Sequence, residues 1–343
     1  MKLAIKLCIV CILVVFVASC KSVDAVKVTE TSDLVLAFGS CNMQYKNNEL
    51  WKEIIKHQPE MWIWGGDIIY SDTDKKDKMQ RDYNVQKTQA DYSKLVNATN
   101  VVGTWDDHDY GLNDGGEEFH FKKVSQQLFL DFMDIPKNDP RREREGVYSS
   151  EIIEKEGGTI KILILDTRYF RTALTKSDDK DKRFQPNKYG EGTILGAQQW
   201  GWLANELNDS EADFNIIVSS IQVLSGAHGF ETWGNFPHEV DKLKTLITTS
   251  KAKNVLLLSG DRHISEFSKT TFEGLNYPLI DFTSSGLTHA YSGFKGEINE
   301  FRVGKVVAEL SFGLLKFNFK TGAVLMEMRG KGNKLQQQLL QYY

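Results

Sequence analysis

Several short apolar runs in this chain stop abruptly at glycine or aspartate, and this is the feature that most restricts its fold. LVLAF (34–38) runs into GSC, MWIW (61–64) into GGDIIY, VVGTW (101–105) into DDHD, and NVLLLS (254–259) into GDRH. Short apolar runs bounded by such breakers are typical of buried strands. Because ligands bind beyond the carboxyl ends of the strands in α/β sheets, we expect the polar residues after these runs to meet at one site.

The rest of the pattern adds helices and further strands. Helices are predicted at 47–57, 117–133, 197–208 and 237–249, and further strands at 161–166, 215–221 and 279–285. The segments 305–311, 314–320 and 323–329 alternate in polarity and predict an antiparallel meander. These elements predict an α/β fold in which two sheets pack together with helices outside.

The N-terminus predicts export. Lys2 and Lys6 precede an apolar run (7–17) that is too short to span a bilayer, and VASC (17–20) places small residues before Cys20. Residues 1–19 are therefore expected to be a cleavable signal, with an uncleaved signal anchor as the alternative. The stretch resembles a bacterial lipobox, which implies acylation of Cys20, a flexible tether over 20–32 and a single domain over 33–343. The expected location is the periplasmic or cell-surface side of a membrane, reached through the lipid anchor.

The number of cysteines and the net charge restrict the possible roles of Cys41 and the possible partners of the protein. Cys41 is the cysteine of the predicted domain, so an internal disulfide is excluded there, and the thiol is either a buried small hydrophobe or a ligand or nucleophile. The formal net charge is −4, and it becomes −6 once residues 1–19 are removed with their two lysines. This balance argues against a nucleic-acid partner. The basic residues over 75–81 alternate with aspartate and predict a solvated loop.

The stretch TWDDHDYGLND (104–114) brings four carboxylates and a histidine into eleven residues. Carboxylates this close repel one another unless a cation lies among them, although a solvated acidic loop is the alternative. The other strand ends add Cys41, Asp67 and Tyr70, and then Asp261 and His263. Thiolate and phenolate suit ferric iron, whereas carboxylates suit calcium, magnesium or manganese. A metal pair bridged by Asp67 would favour hydrolysis of a phosphate ester.

At this point the sequence resembles a known family. FGSC, GGDIIY, TWDDHDYGLND, LDTRYF, SSIQ, ETWGNFPHE, SGDRH and FTSSGLTH stand in the order and context of the PhoD-like alkaline phosphatases of the metallophosphoesterase superfamily, over about 34–329. The resemblance implies a four-layer α/β/β/α sandwich of two mixed sheets flanked by helices. It also implies phosphomonoesterase or phosphodiesterase activity with Fe³⁺ and one or two Ca²⁺ ions, the alternatives being Mn²⁺, Mg²⁺ or Zn²⁺.

The resemblance also implies roles for individual residues. The implied metal ligands are Cys41, Asp67, Tyr70, Asp107, Asp261 and His263. His108, with Asp107 beside it, is the implied catalytic residue, which contacts phosphate and helps the leaving group depart. Asp106 and Asp109 are expected as further ligands or as groups that orient His108. Gln222 takes the place of a superfamily histidine, and is a possible ligand.

Five more residues are candidates for substrate binding: Arg168, Arg262, His228, Trp233 and His289. For Arg168 and Arg262, as for Arg171, a structural ion pair is the competing interpretation. For Trp233 it is packing on the scaffold.

The predicted reaction is attack on phosphorus by a hydroxide or oxide held on the metals, with a small phosphate ester as substrate. One alternative is a phospholipase C-like or nucleotide phosphodiesterase on the same core. The other is a non-catalytic surface lipoprotein that binds its ligand without hydrolysis.

Overall fold

The apolar runs of the sequence form buried strands, and a computed structural model describes them within residues 32–343. The strands are β1 (Leu34–Gly39), β2 (Met61–Gly65), β3 (Asn100–Thr104), β4 (Ser149–Lys155), β5 (Gly158–Ile164), β6 (Thr175–Lys176), β7 (Phe184–Gln185), β8 (Phe214–Val218), β9 (Val255–Ser259), β10 (Ser265–Thr270), β11 (Leu279–Ser284), β12 (Arg302–Val307), β13 (Phe312–Asn318), β14 (Ala323–Arg329) and β15 (Leu335–Tyr342). The helices are α1 (Leu50–Ile55), α2 (Lys76–Lys87), α3 (Ala90–Ala98), α4 (Asp107–Tyr110), α5 (Lys122–Phe132), α6 (Gly196–Asn208) and α7 (Pro237–Thr249).

Two large mixed sheets form the centre of the fold. The first has six strands in the order β15-β14-β13-β1-β2-β3, and the second has seven in the order β12-β10-β11-β9-β8-β5-β4. Strands β1, β2 and β3 are parallel neighbours, and so are β5, β8, β9 and β11. Strands β6 and β7 pair as a small separate hairpin. The parallel strands carry their carboxyl ends to one edge of each sheet.

The two sheets pack face to face, and helices cover their outer faces. Phe38 of the first sheet stacks edge-to-face on Phe282 of the second, with ring centroids 4.7 Å apart, in a core drawn from both sheets. Trp51 of α1 packs on Trp62 of the first sheet, in a core that α2, α3 and α5 also line. Helices α6 and α7 bury leucine side chains, including Leu243, against the second sheet. The expected four-layer α/β/β/α sandwich is confirmed.

Two local predictions are wrong. The segment 305–311 does not join the predicted meander, because β12 pairs with β10 in the second sheet, and the meander consists of β13, β14 and β15. The basic stretch over 75–81 is not a loop but enters helix α2. That helix buries Met79 and Tyr83, which are four residues apart and share one face.

The predicted signal, the Cys20 lipid site and most of the predicted tether lie outside the described residues. Within residues 32–343, the helices are all too short or too polar to cross a membrane.

Candidate metal centre

The carboxyl ends of strands from both sheets meet at one site. Cys41 follows β1, Asp67 follows β2 and Asp107 follows β3, while Asp261 follows β9 of the second sheet. A parallel bridge between Ser40 and Ser285 joins the two sheets beside this site. The polar residues after the strands therefore converge as the sequence analysis expected for α/β sheets.

The backbone at this site is strained. Cys41, Asp67, Asp261 and His263 have φ angles of 60°, 50°, 67° and 54°, in the left-handed region that residues with a side chain rarely adopt. Each such residue costs of order 1 kcal/mol or more and persists only where the surrounding structure enforces it. The strained positions turn the chain sharply at the strand ends and aim the side chains into the site.

A first group of donor atoms surrounds one carboxylate oxygen of Asp67. The Cys41 thiol donates to Asp67 Oδ2 over 3.3 Å, and the Tyr70 hydroxyl donates to the same oxygen over 3.1 Å. The Tyr70 oxygen also lies 2.9 Å from His263 Nε2. Cys41, Asp67 and His263 offer ligand atoms that all lie within 4.8 Å of one another. A thiol, a phenol, a carboxylate and an imidazole thus converge on a single point.

A second group consists of carboxylates. Asp106, Asp107 and Asp261 form one cluster with ligand atoms within 4.8 Å, and Asp67, Asp107 and His108 form another. Within these two clusters, three buried carboxylate oxygens have no hydrogen-bond partner among residues 32–343: Asp67 Oδ1, Asp106 Oδ2 and Asp107 Oδ1. Unpaired buried carboxylate oxygens are costly, and a cation is the ligand that satisfies them.

The acid–base properties of these groups also fit a cation. Burial raises the pKa of the Cys41 thiol to about 12, and burial raises the pKa of Tyr70 well above its usual value. Burial and neighbouring acidic groups raise the pKa of Asp67 well above normal and that of Asp261 to about 7. Burial, with the negative charge of neighbouring acids, favours the protonated forms of these groups, and a bound cation favours loss of the proton. The residues present therefore fit a metal centre.

His108 stands beside this centre and is held by a residue that the sequence analysis missed. Its Nδ1 lies 2.8 Å and 2.9 Å from the two carboxylate oxygens of Asp72, and its ring stacks on Tyr70 with centroids 4.1 Å apart. Burial disfavours the charged imidazole, but the carboxylates of Asp67 and Asp72 outweigh it and raise the pKa of His108 to about 11. The signal for Asp72 was its position five residues after Asp67, in the same strand-end loop.

Among residues 32–343, the hydrogen bonds of the His108 ring go to Asp72 and not to Asp106 or Asp109, which corrects the expectation that these two orient it. Asp106 accepts hydrogen bonds from Arg168 and from the Ser220 hydroxyl, while its remaining oxygen lies in the carboxylate cluster. Asp109 accepts from the backbone N–H groups of Asp106 and Ile68 over 2.6 Å and 3.1 Å. Asp109 therefore fixes the two strand-end loops relative to each other.

Arg168 is part of the scaffold, which corrects its expected role in substrate binding. Its side chain is 0% exposed and is clamped between Asp106 and Glu231. Arg171 lies 2.9 Å from the other oxygen of Glu231. This buried network links the loops after β3, β5 and β8, and it leaves Arg168 no access to a substrate.

The remaining candidates differ in their surroundings. Gln222 donates from its amide nitrogen to Glu266 and to Thr283, so that nitrogen faces a hydrogen-bond network outside the three ligand groups. Trp233 is fully buried and donates to Ser219 Oγ over 3.0 Å, which is the packing role and not substrate binding. His289 is half-buried, and its ring lies 4.4 Å from that of His263 and 4.9 Å from that of Tyr70.

His228 is buried and its Nδ1 accepts the backbone N–H of Phe230 over 3.1 Å. Burial and nearby Arg262 lower the pKa of His228 to about 3, so its ring is neutral. It is not among the residues that line the cleft described next.

A cleft of about 450 Å³ opens beside the centre. Four of its lining residues belong to the ligand groups and are called the inner wall: Asp107, His108, Asp261 and His263. The other lining residues are called the outer wall: Asn113, Asp114, Arg183, Phe230, Glu231, Arg262, Ala290 and Tyr291. A ligand of the size of a phosphate ester can therefore reach the donor groups from solvent.

Comparison with known proteins agrees with this geometry. Residues 36–307 match the family of PhoD-like phosphatases. Alkaline phosphatase D of Bacillus subtilis (strain 168) is 25% identical over 147 residues, which are 38% of this chain and 25% of that protein. The match thus spans about a quarter of the length of this curated relative.

Solved structures share the fold. A structure of PhoD superposes with a TM-score of 0.69 at 17% identity, over 91% of this chain and 69% of that chain. A dimetal phosphatase from Danio rerio superposes with a TM-score of 0.52 at 12% identity, over 91% of this chain and 100% of that chain. With the family match covering most of the described residues, the conclusion is that this chain belongs to the PhoD-like phosphatase family.

Proposed function

We propose that the protein hydrolyses small phosphate esters with the help of bound metal ions. The observation that carries this proposal is the convergence of buried, partly unpaired acidic donors at the base of an open cleft. Such donors are costly in an unliganded protein, so their concentration at a cleft favours a functional centre over a structural one.

The donor types divide between two kinds of metal. Cys41, Tyr70 and His263, with Asp67 between them, suit ferric iron, whereas Asp107, Asp261 and Asp106 suit one or two calcium ions. Asp67 belongs to a ligand group on either side, which is the arrangement of a bridging carboxylate. When bound, such ions supply Lewis acidity, which offsets charge on the phosphate oxygens and makes a water molecule more acidic.

The side chains contribute positioning and proton transfer. His108 Nδ1 is engaged by Asp72, so Nε2 is the ring nitrogen that remains for a ligand in the cleft. We assign His108 to hold a proton at Nε2 and to pass it to the oxygen of the departing alcohol. The raised pKa of His108 favours the protonated ring, which is the form that can donate to the leaving oxygen.

Export is part of the same proposal. The predicted signal over 1–19 and acylation at Cys20 would tether the domain to the periplasmic or cell-surface side of a membrane, where it would hydrolyse free phosphate esters. This part rests on the sequence pattern.

Metal content and the visible absorption spectrum of the purified domain test the proposal first. Iron with calcium, and an absorption band from tyrosinate bound to iron, are expected. Tyr70→Phe should abolish the band, whereas Tyr45→Phe, which changes an exposed tyrosine, should leave it intact. Hydrolysis of 4-nitrophenyl phosphate should require the metals. Folded protein that takes up neither metal from a medium rich in both would overturn the metal assignment. Metal-loaded protein inactive on mono- and diesters would favour the ligand-binding alternative.

A further inference from the structure

The outer wall of the cleft carries two arginine side chains that the reaction at the metal centre does not use. Arg183 and Arg262 line the same cleft as His108 and Asp261. The cleft is larger than a phosphate group requires, so the alcohol part of the ester extends toward this wall. The chemistry of the wall therefore bears on which alcohols are accepted.

Arg262 is a buried cation with an unused donor. Its side chain is 7% exposed and lies over the Phe230 ring, 4.2 Å from the centroid. Both of its hydrogen bonds to Glu297, of 2.9 Å and 2.8 Å, come from Nη2. Its Nε is buried and has no partner in the part of the chain that the structure describes. A buried N–H without an acceptor is unfavourable, and because Arg262 lines the cleft, a ligand acceptor that reaches Nε would satisfy it.

Arg183 also lines the cleft and lies directly before β7. Its side chain is 53% exposed, and it forms an ion pair with Asp114. The Arg183 side of this pair is in contact with solvent, so its guanidinium can turn from Asp114 to an acidic group of a ligand. Its guanidinium offers the paired donors that carboxylates and phosphates accept.

The carboxylates on the same wall do not oppose an anion strongly. The Glu231 carboxylate forms ion pairs with the buried side chains of Arg168 and Arg171, which neutralise its charge. The backbone N–H of Asp114 donates to Asp107 Oδ2 over 2.7 Å. This hydrogen bond holds Asp114 in place when Arg183 turns away from the Asp114 carboxylate. Arg183 and Arg262 are each paired with one carboxylate, Asp114 and Glu297, so what they offer a ligand is guanidinium hydrogen-bond donors and not a net positive charge.

We propose that Arg183 and Arg262 are specificity-determining residues that bind a second acidic group, carried by the alcohol part of the phosphate ester. This inference rests on the proposed function, because it concerns the ester that the metal centre would hydrolyse. The second acidic group is a carboxylate or a further phosphate, since a guanidinium recognises both in the same way.

Three esters with the same carbon chain provide the test: 3-hydroxypropyl phosphate, 3-phosphooxypropanoate and propane-1,3-diyl bisphosphate. The wild-type protein loaded with metals is expected to prefer the two acidic esters in kcat/KM by about ten-fold or more. The carboxylate and bisphosphate arms show which acid is preferred. Arg183→Ala should remove most of this preference through KM, and Arg183→Lys should restore part of it. Lys180→Ala, on the same hairpin and exposed, is the matched control.

Arg262→Lys extends the test to the buried arginine, and metal content is measured for every variant. Loss of the preference with metal content unchanged supports the proposal. Equal kcat/KM for the three esters in the wild-type protein, or an unchanged preference in Arg183→Ala, overturns it while the proposed function stands. If the wild-type protein hydrolyses none of the three esters and does not hydrolyse 4-nitrophenyl phosphate either, the proposed function is overturned and this inference with it.

Discussion

His108 Nδ1 lies within 2.9 Å of both carboxylate oxygens of Asp72, and this pairing fixes which ring nitrogen faces the cleft. Asp72 itself has a φ of 44°, so the loop after β2 is held in a strained conformation to present its carboxylate. A carboxylate on one imidazole nitrogen orients the ring and stabilises the charged form.

Asp72→Asn is therefore expected to lower kcat on a phosphate ester by about ten- to a hundred-fold, with KM and metal content nearly unchanged. Steady-state kinetics over a range of pH checks this, because the variant should also shift the limb of the profile that reports loss of the His108 proton to lower pH. Asp74→Asn changes an exposed carboxylate in the same loop and is the control. An Asp72→Asn protein with wild-type kcat and profile would show that the pairing has no part in turnover.

Asp67 is expected to be the residue on which the whole centre depends, because its carboxylate belongs to ligand groups on two sides. Asp67→Asn should lose both kinds of metal, as measured by elemental analysis. In protein treated with a chelator, the same variant should raise the unfolding temperature at neutral pH, since it replaces a carboxyl group whose pKa is raised by burial in the folded protein with a neutral amide. Asp77→Asn, on the exposed side of α2, should change neither quantity. Retention of bound metal in Asp67→Asn would contradict the bridging role.

Arg168 is expected to be essential for stability. Arg168→Met leaves Asp106 buried without its arginine and Glu231 with Arg171 alone, and the free energy of unfolding should fall by about 3–5 kcal/mol. Urea unfolding followed by circular dichroism measures the change. Arg81→Met, at an exposed position of α2, should stay within about 0.5 kcal/mol of the wild type. A small effect at Arg168 would mean that the network reorganises around a neutral side chain.

The sequence was sufficient for the location of the centre but not for every partner in it. Cys41, Asp67, Asp107 and Asp261 each follow an apolar run, and the rule that parallel strands end at one edge is enough to bring them together. The role of Arg168 was not predictable, because nothing in the order of residues shows that it meets Glu231, which lies sixty-three positions away.

Pairing between strands was likewise beyond the local pattern. β12 has the alternating residues of a meander strand, yet it pairs with β10. Alternating polarity predicts which face of a strand is buried, but it does not predict which strand is its hydrogen-bonded neighbour.

Helix α2 was missed for a different reason. Its charged residues dominate the composition, while the helical signal is confined to buried positions such as Met79 and Tyr83.

Glu327 of β14 provides a pH-dependent prediction remote from the metal centre. Burial raises its pKa, but hydrogen bonds from Arg329 and Lys316 outweigh this and lower the pKa below the usual 4.5, with His57 as the other titratable group nearby. A lowered folded-state pKa stabilises the protein above the unfolded-state pKa, and the benefit is lost as the pH falls through the folded-state value. Glu327→Gln should therefore lower the free energy of unfolding by about 1–3 kcal/mol at pH 7, and the difference should shrink below pH 4.5. Urea titrations at several pH values measure this against Glu154→Gln, an exposed control on β4; a difference that is constant with pH would exclude ionisation of Glu327 as its source.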